Sequence, residues 1–520
     1  MKAPLQNYPS LKKNLLALNL KNNTSELGQG ALEYLILIGG VILVSIVVIS
    51  FLLFTSADLN NSTNDTSEWY SNLINNTRGN IEEETVCELP QIECTENCML
   101  PVCTVNSECD DSNPNTIDTC NNPGECIASC ANEELVSCAN NDGVCPSTCY
   151  VGNDNDCSSL RELADSKGIW FGAMLAHPLH ETEPKYAEVL TREFNITPPG
   201  AAFLFKYIQP TEGAFNFSEA DAITEYASDN NLKIYANHLA WHYKAILSDF
   251  ILDGDSETPE ELEAILENHV KTTVSHFKNS YPGDIVVWNA ANEVISACPE
   301  FTGDFESGFT TNTFILRGET ECAEDEADGE PVNIWISVPD YVKKTFDWAN
   351  ETDPSVKLYY NDYGIEGGAY SNPTQHWWSE LKYQQTILML EDLLARGTPV
   401  DGLGFQMHTT LELAPTKEDL KQKFSQLNSM GLRVAITEME IGINTEGGIT
   451  EQELEQQAQI YKNIVEACLE SNNCDGVISW CFTDKYAWLP SIMPNYDSPC
   501  IFDSEYNPKP AYFAIKEALT

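Results

Sequence analysis

Two glutamates in this chain stand where chemistry, rather than solvation, is expected. Each follows directly on an apolar run: Glu293 closes Trp288-Asn289-Ala290-Ala291-Asn292-Glu293, and Glu438 follows Ile436-Thr437. Among 79 Asp and Glu residues a lone glutamate says nothing. A carboxyl at the end of a buried strand is different, because it must be hydrogen-bonded, paired or functional. Two such groups converging on one mouth suit glycoside hydrolysis, in which a protonated carboxyl donates to the leaving oxygen and an ionised one attacks. The alternative is a structural hydrogen-bonding role for both.

Such a pair needs elements that bring positions 293 and 438 together. From Leu160 onward short apolar runs alternate with helical stretches. The runs are Ile169–Leu175, Ala201–Phe205, Leu232–Trp241, Ile285–Ala291, Lys357–Tyr360, Gly402–Met407, Arg433–Ile436 and Gly476–Phe482. Between them, Pro259–Phe277 places Leu262, Ile265, Leu266, Val270, Val274 and Phe277 on one face, with Thr258 and Glu261 spaced as a capping box. Trp377–Arg396 is a second helix, ended by Gly397. Eight strand–helix units over roughly 360 residues predict an α/β fold of the (β/α)8 TIM-barrel type, with chemistry at the C-terminal strand ends. A doubly wound open sheet is the other arrangement, but no G-x-G-x-x-G or G-x-x-x-x-G-K-[ST] follows an early strand.

The barrel accounts for residues 158–520 of a 520-residue chain. Lys and Arg number 28 against 79 acidic residues, a formal charge of −51, which repels phosphate backbones and argues against a nucleic-acid partner. Residues 1–33 read as a cytoplasmic leader, and Tyr34–Phe54 is an uncharged apolar run of the roughly 20 residues a membrane helix needs. Lysines before it and acidic residues after it place the N-terminus inside and the bulk outside, anchored at the membrane. Gly28-Gln29-Gly30-Ala31-Leu32-Glu33 resembles the processing site of archaeal type IV pilin-like (class III) signals. That resemblance implies cleavage after Gly28, Glu33 at the fifth mature position, and pilin-like self-association through the helix. A plain signal anchor with Glu33 at the lipid interface is the alternative.

Residues 55–86, with sequons at Asn60, Asn61, Asn64 and Asn75, read as an exposed linker. Residues 87–157 hold twelve of the 18 cysteines and no histidine, favouring about six disulfides over zinc knuckles. No cofactor or metal is expected, save that Asp142, Gly143, Asp154 and Asp156 could hold a structural calcium. Turn residues in a disulfide knot are the alternative reading of those four.

The stretch from about Leu160 to Leu519 resembles glycoside hydrolase family 10, whose best-known members are endo-β-1,4-xylanases. The residues around Glu293 are similar to the family's W-D-V-V-N-E box, with Asn289 in place of the Asp. Those around Glu438 are similar to its I-T-E-L-D box, with Met439 and Glu440 as departures. Tyr360-Asn361-Asp362-Tyr363 matches the fifth-strand box and Gly402-Leu403-Gly404-Phe405-Gln406-Met407-His408 the sixth. Trp480 to Trp488 matches the eighth, and Tyr506 to Tyr512 closes the domain as in the family. The resemblance implies a retaining mechanism with Glu438 as nucleophile, Glu293 as acid/base and His408 orienting the nucleophile. It further implies that Asn292 holds a sugar 2-hydroxyl, that Gln406 lines the same subsite, and that Tyr363 belongs to the binding surface. Trp241, Trp480 and Trp488 would stack on sugars. The alternative for the tryptophans and His408 is ordinary core packing.

The second-strand box departs from the family. Its E-N-x-M-K-W falls on Gly200 to Phe205, removing the Glu, Asn and Lys that grip the glycone, and the third-strand His falls on Asn237. Losing such groups could cost a few kcal/mol for the usual substrate. Of the remaining cysteines, Cys298 and Cys322 bracket an insertion after the fourth strand. Cys468 and Cys474 resemble a bridge seen in some family members, which leaves Cys481 with Cys500. The expected function is therefore endo-acting, retaining cleavage of xylan or a related β-glycan. The alternative is a surface glycan-binding or adhesion protein on a weakened glycosidase scaffold.

Overall fold

The computed structural model describes residues 148–252, 258–296, 302–304, 308–319, 333–367 and 373–520. Ahead of these it describes 103, 105, 108–109, 116–121, 128–134, 138, 140 and 145–146. Eight parallel strands form the centre: β1 (Trp170–Ala173), β2 (Ile196–Thr197), β3 (Lys233–Trp241), β4 (Ile285–Asn292), β5 (Lys357–Asp362), β6 (Gly402–Phe405), β7 (Arg433–Asn444) and β8 (Cys474–Ser479). They pair in the order β6-β5-β4-β3-β2-β1-β8-β7, and β7 pairs back onto β6, so the sheet closes into a barrel. Closure leaves no barrel edge and puts the eight strand C-termini on one rim.

The lumen is packed by Ile196, Tyr235, Val287, Tyr359, Ala435 and Ile478, contributed by six different strands. Beneath the ring of Tyr359, its hydroxyl donates to Asp475 at 2.5 Å, and Lys357 and Arg433 pair with the same carboxylate. A second, larger core lies between strands and helices. The helix Pro259–Ser280 buries Leu262, Ile265, Leu266, Val270, Val274 and Phe277 as the 3.6-residue pattern predicts. Thr258 and Glu261 form its capping box in both directions, a device worth about 1 kcal/mol. Trp377–Arg396 lies within the longer helix Pro373–Ala395, apart from its last residue.

The second strand is a correction. Ala201–Phe205 is not extended: the strand is the pair Ile196–Thr197, and Gly200–Phe203 is a 3-10 turn leading into the helix Phe205–Ile208. Pro198 and Pro199 cannot donate to a ladder, so the strand stops before them. The apolar residues that follow are buried as helical turns, with Phe203 stacked 4.6 Å from Phe277 and Phe205 stacked 3.8 Å from His269. The seventh strand runs eight residues beyond Ile436, because its outer half pairs with His408–Thr410 and with Tyr496–Asp497.

Six disulfides join described cysteines: 103–120, 109–130, 138–149 and 145–157 ahead of the barrel, and Cys468–Cys474 and Cys481–Cys500 within it. The last two agree with the pairings expected. Cys298 and Cys322 lie outside the described residues, as do the leader, the 34–54 segment, Asp142 and Gly143. Among the described residues no helix is long and apolar enough to cross a membrane. Asp154 accepts from the Asp156 N–H at 3.1 Å, a turn contact, while its buried Oδ2 has no partner. The 145–157 loop is seated on the barrel, where Lys516 Nζ donates to Cys149 O at 2.9 Å and Tyr150 meets Tyr512 edge-on.

Candidate active site

Glu293 and Glu438 stand on the same rim of the barrel, and two residues between them tie each to the other. Glu293 follows β4 with a φ of 53°, an uncommon value for a side-chain-bearing residue. The kink is fixed by its N–H, which donates to Asn361 O at 2.9 Å, and by Tyr360 Oη, which accepts from Val294 N at 3.2 Å. The side chain of that same Asn361 reaches the other glutamate, with Nδ2 donating to Glu438 Oε1 at 2.9 Å. Gln406 mirrors this arrangement. Its carbonyl accepts from the Glu438 N–H at 3.0 Å, and its Nε2 donates to Glu293 Oε1 at 2.8 Å. Main-chain carbonyl to the backbone N–H of one glutamate and side-chain amide to the carboxylate of the other, twice over, makes a crossed brace that fixes the two groups against each other.

The amide orientations follow from their neighbours. Thr437 Oγ1 donates to Asn361 Oδ1 at 2.6 Å, which leaves Nδ2 to serve Glu438 and, at 3.0 Å, Asn292 Oδ1. Asn289 Nδ2 donates to the same Asn292 oxygen at 2.9 Å. An aspartate at 289 has no donor to offer when ionised, so the departure from the family box is put to use here. Asn292 Nδ2 is then buried with no protein partner, a donor held ready for a ligand. Space for Asn361 comes from Gly404 on β6, where a Cβ would stand 2.2 Å from Asn361 Oδ1.

The two carboxyls differ in their surroundings. Glu293 accepts from Trp241 Nε1 at 3.0 Å as well as from Gln406. Burial raises its pKa above the ordinary carboxyl value, the Gln406 hydrogen bond opposes that, and the charge of Asp362 adds to the rise. Glu438 faces His408, with Nε2 to Oε2 at 3.1 Å, while His408 Nδ1 meets Glu440 Oε2 at 3.0 Å. Glu438 and Glu440 are two apart on one strand and so share a face, and His408 pairs in register with Glu440. Burial alone would push the imidazole down, but the hydrogen bonds and charges of the two glutamates outweigh it and hold its pKa at about 10. At His238 burial outweighs the charge of Glu438, and at His242 burial is joined by the charges of Arg317 and Lys382, so the two are driven down to about 4 and about 3.

The remaining predicted residues line the same rim. Trp241 presents its indole edge to the acid, with its ring against His238 and Tyr243 at 4.7 and 5.2 Å. Trp480 and Trp488 flank His408, the latter tilted at 4.9 Å and 41% exposed. Tyr363 accepts from Arg317 Nη2 at 2.6 Å and lies under Lys382 Nζ, 3.5 Å from the ring centre. Asn237 is buried on β3 with Oδ1 unpartnered. Gly200, where the family has glutamate, has a φ of +56°, and a Cβ there would lie 2.9 Å from Leu175 O. A side chain there is strained and would have to displace the Leu175 carbonyl, so the backbone disfavours the missing glycone group at this position.

Reasoning from the sequence missed Asn361, Thr437, Glu440 and the fully buried pair Lys382–Asp362, which meets at 2.7 Å. Asn361 and Asp362 end an apolar strand just as the two glutamates do, and that signal could have found them. Glu366, whose carboxyl burial pushes up and which accepts from the Met407 N–H at 2.7 Å, follows no such run.

Comparisons with known proteins agree with this geometry. The sequence model described as Glycosyl hydrolase family 10 matches residues 159–518. Endo-1,4-beta-xylanase B of Thermotoga neapolitana is 34% identical over 366 residues, covering 69% of this chain and 91% of that protein. Endo-1,4-beta-xylanase A of Humicola insolens is 28% identical over 377 residues, covering 71% and 88%. The crystal structure of xylanase 10B from Thermotoga petrophila in complex with xylobiose superposes with a TM-score of 0.57 at 33% identity, covering 69% of this chain and 97% of that one. With two braced carboxylates on the rim of an eight-stranded barrel and a family match over residues 159–518, the chain belongs to glycosyl hydrolase family 10, a family of retaining glycoside hydrolases.

Proposed function

We propose that the chain is an endo-β-1,4-xylanase that works outside the cell, tethered through residues 34–54. The observation that carries the activity is the crossed brace of Asn361 and Gln406, which fixes a proton donor against a nucleophile. Glu438 attacks the anomeric carbon, the glycosidic C–O bond breaks, and the Glu293 proton goes to the leaving oxygen. Water then attacks the anomeric carbon of the glycosyl–Glu438 ester, the bond from that carbon to the Glu438 oxygen breaks to free the carboxylate, and Glu293, now a carboxylate, takes the water's proton. His408, protonated across the neutral range, donates from both nitrogens and keeps Glu438 aimed. Asn292 Nδ2 is the donor to a sugar hydroxyl, and Trp480 and Trp488 offer ring surface beside His408.

The xylan substrate rests on the relatives, several of which are named as xylanases, and on the integrity of the catalytic rim. The tether rests on the apolar run and its flanking charges, and the outside location also on the disulfides. A pilin-like assembly through that segment, with cleavage after Gly28, rests on the leader motif. A calcium ion at the 138–157 knot is supported by the unpartnered Asp154 Oδ2. The glycone group missing at Gly200 favours a second reading, a glycan-binding protein with weak turnover.

One assay separates the two: the purified chain on a panel of β-glycans, beside Glu438→Ala and Glu293→Ala. Xylan cleavage lost in both variants supports the xylanase. Cleavage of another glycan moves the substrate while keeping the mechanism, and binding without cleavage anywhere leaves the adhesin.

A further inference from the structure

The loop that follows β1 carries three donors within five residues. His177, His180 and Glu181 each offer one ligand atom, and these atoms all lie within 4.8 Å of one another. The loop is held in place by protein contacts. Leu179 N donates to Ala176 O at 2.8 Å, and the Tyr186 hydroxyl donates to Met174 O and accepts from Ala176 N.

His180 is the unusual member. Its side chain is 3% exposed and packed between His177 and Tyr226, at 5.4 and 4.5 Å between ring centres. A buried imidazole ordinarily satisfies both nitrogens. Here Nδ1 has no partner, and the Glu181 carboxylate is 3.7 Å from Nε2, beyond hydrogen-bond reach. His177 and Glu181 are exposed.

We propose that His177, His180 and Glu181 form a binding site for a zinc-class divalent transition metal, with the fourth position left to water. Two imidazoles and one carboxylate are a borderline donor set that suits zinc and its neighbours, whereas calcium and magnesium take oxygen ligands. Metal–ligand bonds of about 2.0–2.1 Å put tetrahedral donors roughly 3.3 Å apart, so donors within 4.8 Å of one another have at most about 1.5 Å to close. The acidic chain also raises the local concentration of cations. Two residues on, Glu183 binds Lys485 and the Tyr486 hydroxyl of the loop that carries Trp488, so metal binding would stiffen that side of the cleft.

The test is titration of the full chain, disulfides intact, with Zn2+ by calorimetry and with Co2+ by visible absorption. Wild type, His177→Ala, Glu181→Gln and the double variant are compared. Both substituted residues are exposed, so folding is kept, and a thermal melt of each variant checks it. The expected result is one tight zinc per chain, weakened at least tenfold in each single variant and lost in the double, with the d–d bands of low-coordinate Co2+ disappearing in parallel. Tight zinc binding unchanged in the double variant would place the metal elsewhere, for instance at the cleft carboxylates, and overturn the assignment. Absence of tight zinc in the wild type would overturn it equally.

Discussion

Gln406 sets how strong an acid Glu293 is, and its removal has a predictable sign. Two influences oppose each other at Glu293: burial raises the carboxyl pKa, and the Gln406 Nε2–H, 2.8 Å from Oε1, lowers it by stabilising the ionised form. Gln406→Leu deletes the donor at similar volume and leaves the main-chain carbonyl that accepts from Glu438 N. A hydrogen bond to a charged group is worth roughly 1.5–3 kcal/mol, and at about 1.4 kcal/mol per pKa unit its loss raises Glu293 by about 1–2 units. Trp241 Nε1 still donates to Oε2, which favours the lower end. Since the protonated acid is the active form, the alkaline limb of the kcat/KM profile on xylan should move up by about one unit. The assay is initial rate at low substrate from pH 4 to 10, with Gln406→Glu excluded because it would add a charge. An unmoved limb, or one shifted to lower pH, would refute the assignment of Gln406 as the residue that tunes the acid.

Gly404→Ala puts a Cβ 2.2 Å from Asn361 Oδ1, so it should displace the brace, cost about 1–3 kcal/mol by urea unfolding and sharply reduce kcat. Lys382→Met strands the fully buried Asp362 carboxylate and should destabilise the barrel by about 3–5 kcal/mol, read by denaturant titration. The raised pKa of His408 means its stabilising contribution is complete below about pH 6.5 and shrinks by about 1.4 kcal/mol per unit up to about 10. The stability gap between wild type and His408→Asn should therefore close as pH rises through that window, and a gap that widened would contradict it.

The limits of the sequence show in particular residues. Seven of the eight barrel strands overlap the apolar runs, because a strand buried on both faces is written in consecutive residues. Ile196–Thr197 escaped because two residues carry no period, and the apolar run after Pro198-Pro199 is packed as helical turns instead. The brace lies deeper still: Asn361 and Glu438 are 77 residues apart, Gln406 and Glu293 113, and no local pattern encodes such a pairing. Glu293 and Glu438 carry nearly the same local signal, a glutamate ending an apolar run. What divides them into acid and nucleophile is the donors that the fold brings to each. Glu293 receives an indole and an amide, both neutral, so burial dominates and favours the proton. Glu438 also receives an amide, from Asn361, but with it an imidazolium that Glu438 and Glu440, two residues on along the same face, keep charged. The role of each carboxylate is thus a property of its neighbours across the barrel, and exchanging those neighbours, rather than the glutamates, is what would change it.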